Sequence, residues 1–352
     1  MAKTTIIKKE NILIVYVFKS SFVKRDISIL ENEYTVFKKQ FNNNKLLLPL
    51  TLLKQFFQLL GIRKYKVVVS QSSGYHSFLP VLFGKLFNVP VIIIAIGNES
   101  IKIPEINYGA QRKKVFAWIV NFSFKNASLI LPVHKSLEIS NYSYTPIKYK
   151  QQGIRAFNPN ISTRIIEMVN GYDTEKWKNL GLTRPTHSFL TVSAEIDTTR
   201  YFIKGIDLIC EAAKLFPNYS FTIVGHLTIE KDFPSNITLI NRLNQTELLK
   251  VYNQHSYYLQ LSMSEGFPNA LCEAMLCGCI PIGSKVAGIP DIIGENGIIL
   301  NEKKTDEFTT ILKTLNNYNF EAEKIRNQIV TNFPLNKRKT EFLAHLKKNI
   351  KQ

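Results

Sequence analysis

Short β-rich apolar runs alternate with helical patterns along the whole chain, and this alternation limits the fold more than any other feature. Apolar residues recur at helical spacing between 205 and 216 and again between 246 and 252. Strands that are covered by helices on both faces form parallel sheets. We therefore predict an α/β fold with two doubly wound domains facing each other across a cleft. The predicted strands lie at 11–18, 66–70, 91–96, 128–133, 164–169, 189–194, 221–225, 258–262, 279–284 and 297–301.

The length of the chain supports a division into two domains. Its 352 residues, of which 45% are hydrophobic, exceed what one core usually supports. A polar stretch at 171–185 contains Gly, Asp and Pro and has no apolar period, which is typical of a domain boundary. We predict a first domain at 1–180 and a second domain at 181–335.

Apolar stretches and cysteines indicate where such a protein resides. No uninterrupted apolar stretch is long enough to span a bilayer, and the first 18 residues lack a signal-peptide cleavage pattern. Cys210, Cys272, Cys277 and Cys279 lie inside apolar stretches without the paired spacing of a zinc site. The sequence thus predicts a cytoplasmic protein with reduced core thiols.

Positive charge is concentrated in the first half of the chain. Residues 1–180 hold 26 Lys and Arg against 10 Asp and Glu, whereas residues 181–352 hold 19 against 17. This asymmetry favours a polyanionic partner for the first domain, such as nucleic acid, an anionic membrane or an acidic substrate. A Lys-rich surface that only confers solubility explains the charge equally well.

One apolar run with basic ends, KLLLPLTLLKQFFQLLGIRKYK at 45–66, has two interpretations. It could lie on an anionic leaflet, where each nearby Lys or Arg contributes about 1 kcal/mol. An α/β domain also needs apolar helices to cover its sheet, and we favour this core interpretation.

The stretch SEGFPNALCE at 264–273 places two glutamates on either side of a helix start. Gly266 allows a turn after a strand, and Pro268 suits the first helical position. The free N–H groups of such a helix attract anionic oxygen. Glu273 and Glu265 could then bracket a diphosphate, one at the ribose and the other at a hydroxylated group. On spacing alone, a favourable helix acid and a surface glutamate are the preferred interpretation.

Four segments change that preference because they carry a resemblance to a known family. SEGFPNALCEAMLCGCIPIGSKVAGIPDII resembles the signature of two glutamates separated by seven residues in retaining GT-B glycosyltransferases of the family 4 type. MVNGYD, RYFIKGIDLICEA and FTIVGH are similar to further family segments and stand in the expected order. The first half resembles bacterial members that build surface polysaccharides, such as those of capsule or lipopolysaccharide.

The resemblance implies roles for residues of the second domain. Glu273 would hold the ribose, Glu265 the transferred sugar, and Lys204 the diphosphate, which takes up charge as it leaves. The family's partner arginine stands where this chain has Ala194 and Glu195, and Arg200 is the expected substitute; a solvated loop arginine is the alternative. The remaining donor-binding positions implied are Gly266, Phe267, Pro268, Asn269, Ala270, Leu271 and Gly225.

The first domain departs from better-known members of the family. Its first loop lacks the usual paired glycines, and Gly97-Asn98-Glu99 stands where a catalytic histidine often lies. Glu99 is expected to take that role, although a satisfied loop carboxylate explains it nearly as well. His76 is a candidate on the acceptor side, and a structural histidine is the alternative. Two basic residues, Arg112 and Lys113, could hold an anionic acceptor or form a solvated helix face.

The resemblance implies a retaining hexosyltransferase that uses a nucleotide-sugar, with UDP preferred. The expected partners are a glycan or lipid-linked acceptor and an anionic membrane surface, which would make the protein peripheral on the inner face of the cytoplasmic membrane. No Asp-x-Asp motif occurs, so we expect no metal and no other cofactor. Residues 336–352 fit a terminal helix that crosses back to the first domain.

Three alternatives to a transferase remain open at this point. A sugar-nucleotide epimerase of the same fold would not need an acceptor, and a catalytically silent binding subunit would not need Glu265, Glu273 and Lys204 together. A nucleic-acid-binding protein would explain the basic half. No recognised module or interleaved aromatic and basic stripe supports nucleic acid, which we therefore do not expect as a partner.

Overall fold

The structure is a computed structural model that describes residues 9–350. Its first sheet contains five parallel strands in the order β2-β1-β3-β4-β5. The elements of this part are β1 Asn11–Tyr16, α1 Ser21–Glu31, β2 Thr35–Gln40, α2 Leu48–Leu59, β3 Val67–Gln71, α3 Tyr75–Phe87, β4 Val91–Ala95, α4 Lys114–Asn126, β5 Leu129–Pro132, β6 Ser140–Asn141, β7 Gln151–Gln152 and α5 Ile154–Phe157.

Helices cover both faces of the first sheet. The chain reverses direction across the sheet after β2, so right-handed crossovers put α1 on one face and α2, α3 and α4 on the other. The core beneath α2 to α4 is a separate apolar cluster that includes Leu59, Phe83 and Phe124. The α1 face instead belongs to a larger cluster that continues into the second domain. The α2 to α4 layer is therefore the outer layer of the molecule on this side.

The second sheet has six parallel strands in the order β10-β9-β8-β11-β12-β13. Its strands are buried and apolar at the centre, as expected for a sheet that is covered on both faces. The elements are β8 Ser188–Ile196, α6 Thr198–Ile203, α7 Ile206–Leu215, β9 Ser220–Leu227, β10 Ile237–Ile240, α8 Gln245–Asn253, β11 Tyr257–Gln260, α9 Asn269–Leu276, β12 Ile280–Ser284, α10 Ile289–Ile293, β13 Ile298–Leu300, α11 Thr305–Lys313, α12 Ala322–Asn332 and α13 Leu335–Ile350.

The last helix, α13, returns to the first domain and packs on α1. A buried ion pair joins the two helices, because Arg338 donates from Nε and Nη2 to the carboxylate of Asp26 at 2.8 Å each. The chain crosses between the domains at Tyr172 and Pro334, which form a parallel bridge. The predicted boundary at 180 stays a prediction; the two sheets lie on either side of it.

Most predicted strands are present within a few residues, and the exceptions have physical reasons. The run at 164–169 forms no strand of its own, yet Ile130 donates to the carbonyl of Arg164 and Ile166 donates to that of Ile130 beside β5. The edge strands β2 and β10 were not predicted, because β2 has only two apolar residues and β10 is only four residues long. Pro268 is the N-cap of α9 and not its first helical residue, because its backbone is extended.

The favoured core interpretation of residues 45–66 is wrong for most of the segment. Helix α2 buries only Gln55 and Leu59 fully. Its other apolar side chains are exposed or half-buried, because α2 lies at the outer edge of its layer. Separately, none of the helices within 9–350 combines the length and apolar character that crossing a membrane would require.

Candidate active site

Glu265 lies directly after strand β11, at the carboxyl edge of the second sheet. Its Oε1 accepts hydrogen bonds from Gln260 Nε2 at 3.1 Å and Ser262 Oγ at 2.9 Å. Lys204 Nζ also donates to this oxygen and forms an ion pair with it. The carboxylate is thus held in one orientation by three donors, and parallel α/β sheets bind ligands at this edge.

Lys204 reaches Glu265 because the chain turns sharply at Gly205. This glycine has φ of +71°, and a β-carbon there would stand 2.4 Å from the carbonyl oxygen of Leu261. Lys204 ends α6, and Gly205 begins α7, so the ammonium group is carried on the short link between two helices. The positive charge is therefore placed beside β11 by backbone packing that only glycine permits.

Glu273 lies one turn into α9, on the other side of that helix's start. Its Oε2 accepts from Tyr252 Oη at 3.3 Å. Burial raises the pKa of Glu273 to about 7, against the opposing effects of the Tyr252 hydrogen bond and the positive charges of Arg25 and Lys176. A partly buried carboxyl with a free oxygen is suited to accept hydrogen bonds from ligand hydroxyls.

Two cavities touch α9, one at its start and the other about one turn later. A cavity of about 350 Å³ is lined by Lys204, Glu265 and the segment 266–270. A larger cavity of about 1270 Å³ is lined by Glu273 together with residues of both domains, among them Arg25 and Arg242. The structure therefore separates the two glutamates by the first turn of α9, whose N–H groups carry the positive end of the helix dipole.

The first domain closes the smaller cavity with its backbone. The loop after β4 packs against the turn at Gly266, where a β-carbon would stand 2.2 Å from the carbonyl oxygen of Ile96. Gly97, with φ of +144°, faces the same turn, and a β-carbon there would lie 3.3 Å from the amide nitrogen of Gly266. Two glycines on opposite walls thus allow the domains to touch.

Glu99 shapes this loop from within the first domain. Its carboxylate accepts from the amide of Ile96 at 2.7 Å and from that of Gly97 at 3.2 Å. Burial raises the pKa of Glu99 to about 7, while these amides oppose the shift. The structure places Glu99 behind the wall, with both carboxylate oxygens directed at backbone amides. A catalytic role for Glu99 stays a prediction.

Three further side chains of the first domain reach the second. Tyr108 lies beside Glu265 and Ser264, and burial raises the pKa of its phenol. His134 Nε2 lies 3.1 Å from Asp291 Oδ2 on α10, and Lys135 pairs with the same carboxylate at 2.8 Å. These contacts hold the walls together at both sides of Gly266.

Three predicted site residues lie outside the linings of both cavities. Arg200 lies on α6, one turn before Lys204, where it pairs with Glu195 at 2.8 Å and with Asp197. Gly225 lies inside β9 against the Ser193 carbonyl and lines neither cavity. His76 Nε2 contacts the Gln71 carbonyl at 2.8 Å, and burial lowers its pKa to about 4, so the ring is neutral. Their functional roles stay predictions.

The remaining predicted residues divide between the cavity and the surface. Phe267 is buried and stacks on Tyr172, whose hydroxyl donates to Asn269 Oδ1 at 2.9 Å. Pro268 and Ala270 line the smaller cavity, and Leu271 is fully buried behind it. Arg112 is half-buried and Lys113 is exposed at the start of α4, outside both cavities.

Several site residues were missed by the sequence analysis. Gln260 and Ser262 are polar residues at the end of a buried strand, which is a readable signal for a site. Tyr108 lies in the segment PEINYG at 104–109 and could also have been singled out. Arg25 carries no such signal in the sequence. Its side chain lines the larger cavity and donates to the Gly171 carbonyl at 2.7 Å, a contact between residues that are far apart in the chain.

Side chains that could bind a metal ion, and the positive charges of the site, bear on how a diphosphate would be neutralised. Within the described range 9–350, no group of three or more His, Cys, Asp or Glu side chains is arranged to hold a metal ion. The positive charges at the smaller cavity come from Lys204, the start of α9 and Arg338, which is paired with Asp26.

Comparisons with known proteins agree with this geometry. Residues 198–332 match the model of the family described as glycosyl transferases group 1. A subunit of the phosphatidylinositol N-acetylglucosaminyltransferase of Arabidopsis thaliana is 22% identical over 173 residues, which are 44% of this chain and 38% of that protein. A GDP-mannose:cellobiosyl-diphosphopolyprenol alpha-mannosyltransferase of Xanthomonas oryzae is 27% identical over 156 residues, covering 41% of this chain and 40% of the relative.

A solved structure extends the likeness to the whole chain at the level of the fold. HepE of Anabaena in complex with UDP superposes with a TM-score of 0.69 at 14% identity, covering 96% of this chain and 100% of that one. The matched segments span less than half of each curated relative. The predicted fold is confirmed: the protein has the GT-B fold, with two Rossmann-like domains, and its second domain matches the glycosyl transferases group 1.

Proposed function

We propose that the protein is a retaining glycosyltransferase that moves a hexose from a nucleotide-sugar, preferably a UDP-sugar, to a glycan or lipid-linked acceptor. The expected context is bacterial cell-surface polysaccharide synthesis, as in the family 4 members that the sequence resembles. The observation that carries the proposal is the placement of the Lys204–Glu265 pair and Glu273 at the two ends of the first turn of α9.

This placement suits a nucleoside diphosphate sugar. Glu273 would accept from the ribose hydroxyls in the larger cavity, and Glu265 would accept from hydroxyls of the transferred sugar in the smaller one. The diphosphate would then lie against the N–H groups of α9, close to Lys204. Six basic residues line the larger cavity against three acidic ones, which favours a polyanionic nucleotide.

The reaction needs little acid or base from the protein. The bond between the sugar's anomeric carbon and the phosphate oxygen breaks, and the acceptor oxygen attacks that carbon from the same face. The acceptor's proton passes to the leaving phosphate oxygen. Lys204 and the start of α9 would stabilise the negative charge on the diphosphate. Because the protein itself supplies this positive field, we propose that the reaction proceeds without metal.

The relatives support the substrate classes without fixing them. The name of the Xanthomonas relative specifies GDP-mannose and a diphosphopolyprenol acceptor, and that of the Arabidopsis relative specifies N-acetylglucosamine and phosphatidylinositol. HepE was solved with UDP. Both curated names thus specify a lipid, which favours a lipid-linked acceptor here. We further propose a cytoplasmic enzyme that is peripheral on the inner face of the cytoplasmic membrane.

Thermal stabilisation by nucleotide-sugars tests the donor site. The purified protein is titrated with UDP-, GDP-, ADP- and CMP-sugars in the presence of a chelator, alongside Glu273→Ala. We expect one base to raise the melting temperature of the wild type and the variant to lose that shift. Absence of any shift at millimolar donor would contradict the proposed site.

Product analysis separates the two alternatives. An epimerase would release UDP or free sugar with no acceptor present, whereas a transferase would release the nucleotide in proportion to acceptor consumed. A silent binding subunit would bind the donor and release nothing under either condition. The configuration of the new glycosidic bond, read by NMR, decides between retention and inversion.

A further inference from the structure

Helix α2 exposes more of its apolar side chains than it buries. Gln55 is 8% exposed and donates from Nε2 to the His76 carbonyl at 2.9 Å. In contrast, Leu50, Leu53 and Phe57 are 65%, 54% and 61% exposed. A helix that only covers a sheet has the opposite arrangement, with its apolar stripe inward. The exposed stripe of α2 therefore needs an explanation beyond the fold of the first domain.

The neighbouring helices extend this stripe into a wider surface. Helix α2 packs on α3, and α3 packs on α4. Aromatic contacts run through the layer, with Phe56 and Phe83 at 5.2 Å and Phe78 and Trp118 at 5.7 Å between ring centroids. We define the outer apolar face as the exposed residues Leu46, Leu47, Leu50, Leu53, Phe56, Phe57, Leu60, Leu86, Val115 and Trp118. Contiguous exposed apolar surface of this kind marks an interaction site.

The charged residues of α2, α3 and α4, which carry most of the outer apolar face, are all basic. Residues 34–98 contain eight Lys and Arg and no Asp or Glu, and residues 106–137 contain five and none. In the described part of the chain, the basic side chains of α2, α3 and α4 form no ion pair. A protein partner usually meets a surface of mixed charge that is poor in Lys. An anionic bilayer instead needs this combination of apolar groups and unpaired cations.

The outer apolar face also begins at the rim of the cleft. The carboxyl ends of β2, β3 and β4 lie at the edge of the sheet that faces the second domain, and α2, α3 and α4 start from that edge. Tyr108, which reaches Glu265, shortly precedes α4. A partner that binds the outer apolar face would therefore lie beside the entrance to the smaller cavity.

We propose that the outer apolar face docks on an anionic phospholipid bilayer, inserting Leu50, Leu53 and Phe57 among the lipids. The surrounding lysines and arginines then bind the headgroups, and the cleft opens next to the membrane. This inference assigns a surface to the peripheral attachment in the proposed function, and it does not depend on the transfer reaction.

Vesicle flotation tests the docking. Wild-type protein is mixed with vesicles of phosphatidylcholine alone, or of phosphatidylcholine and phosphatidylglycerol in equal parts. We expect flotation with the mixed vesicles only, reduced by added salt. The triple variant Leu50→Gln, Leu53→Gln, Phe57→Gln should bind these vesicles at least about 10-fold more weakly. All three residues are exposed, so the variant should fold normally.

A matched control changes three exposed leucines of the second domain. Leu182→Gln, Leu215→Gln, Leu239→Gln alters residues that are 46%, 62% and 41% exposed, and it should bind vesicles like the wild type. Trp118 provides a second readout, because its fluorescence should shift to shorter wavelength on the mixed vesicles. Trp118→Phe should remove the shift, since Trp177 is already buried.

Three outcomes would overturn the inference. These are no flotation of the wild type with the mixed vesicles, equal flotation of the two triple variants, and self-association that only the face variant abolishes without any vesicle binding. The last, measured by light scattering, would make the face an interface with a second copy. Donor binding, followed by thermal shift, should be unchanged in both triple variants, so failure here leaves the proposed function standing.

Discussion

The two walls of the cleft are built from different materials. On the second domain, charged and polar side chains face the cavities, with Lys204 and Glu265 paired and Glu273 bonded to Tyr252. On the first domain, the wall opposite Gly266 is backbone, held from behind by Glu99. Side chains bind a ligand through their chemistry, whereas backbone contributes shape. For the smaller cavity, we therefore expect recognition of the donor's sugar to depend on the second domain and closure of the cleft to depend on the first.

Loss of the ammonium group should have the largest effect on the side-chain wall. We expect Lys204→Met to lower kcat by about 100- to 1000-fold, because the departing diphosphate loses a cation that is aimed at its developing charge. Single-turnover kinetics with the donor identified by thermal shift measure this. Lys214→Met, an exposed change on α7, is the control. Equal activity of the two variants would remove Lys204 from the reaction.

Adding one methyl group at Gly266 should prevent the close contact between the two domains. In Gly266→Ala the β-carbon would overlap the Ile96 carbonyl oxygen, so the domains cannot close fully. We expect kcat/KM to fall about 100-fold, as for a misplacement of about 1 Å at a reacting centre. Gly61→Ala adds the same group where nothing lies within 4 Å and should be silent. An active Gly266→Ala enzyme would show that close contact of the walls is unnecessary.

The charge of Glu273 should oppose folding at neutral and higher pH. Its pKa is raised from 4.5 to about 7, so the folded state holds its proton more tightly and loses stability as pH rises through 7. Glu273→Gln lacks this titration. Relative to wild type, we expect it to gain on the order of 2 kcal/mol between pH 4.5 and 8. Melting temperatures across this range measure the gain, and a difference that does not change with pH would contradict the raised pKa.

The smallest expected effect concerns the support of that carboxylate. Tyr252→Phe removes the hydroxyl that donates to Glu273 Oε2 and leaves the ring in place. A typical hydrogen bond contributes about 1 kcal/mol net, so donor affinity should fall roughly fivefold. Calorimetric titration detects such a change. Tyr257→Phe, also a buried tyrosine of the second domain but not bonded to Glu273, should bind the donor normally.

The contrast between the walls also explains what could be predicted from the sequence. The side-chain wall is local in the chain: Glu265, the turn at Gly266 and Glu273 lie within ten residues, and Lys204 precedes a glycine that its turn requires. Such local patterns can be recognised without a structure. Buried central strands were equally clear, because a sheet that is covered on both faces leaves a continuous apolar run.

Other features depend on contacts that no sequence pattern reveals. The edge strands β2 and β10 form no clear apolar run, since β2 has only two apolar residues and β10 has only four residues in all. The orientation of α2 was misjudged because Leu48, Leu52 and Leu59 make an inward apolar stripe beside the outward one, and composition does not distinguish the two. Glu99 was expected to face the ligand, and only the bonds to Ile96 and Gly97 show which way its carboxylate points.

The ion pair between Asp26 and Arg338 has a consequence for the order in which the protein is made. The partners are 312 residues apart, and both are almost fully buried. An emerging chain folds from its N-terminal end, yet a buried carboxylate without its cation is costly. The first domain therefore cannot reach its final state until Arg338 has been synthesised. Although its strands are made first, it is completed by a residue that follows all strands of the second sheet in the chain.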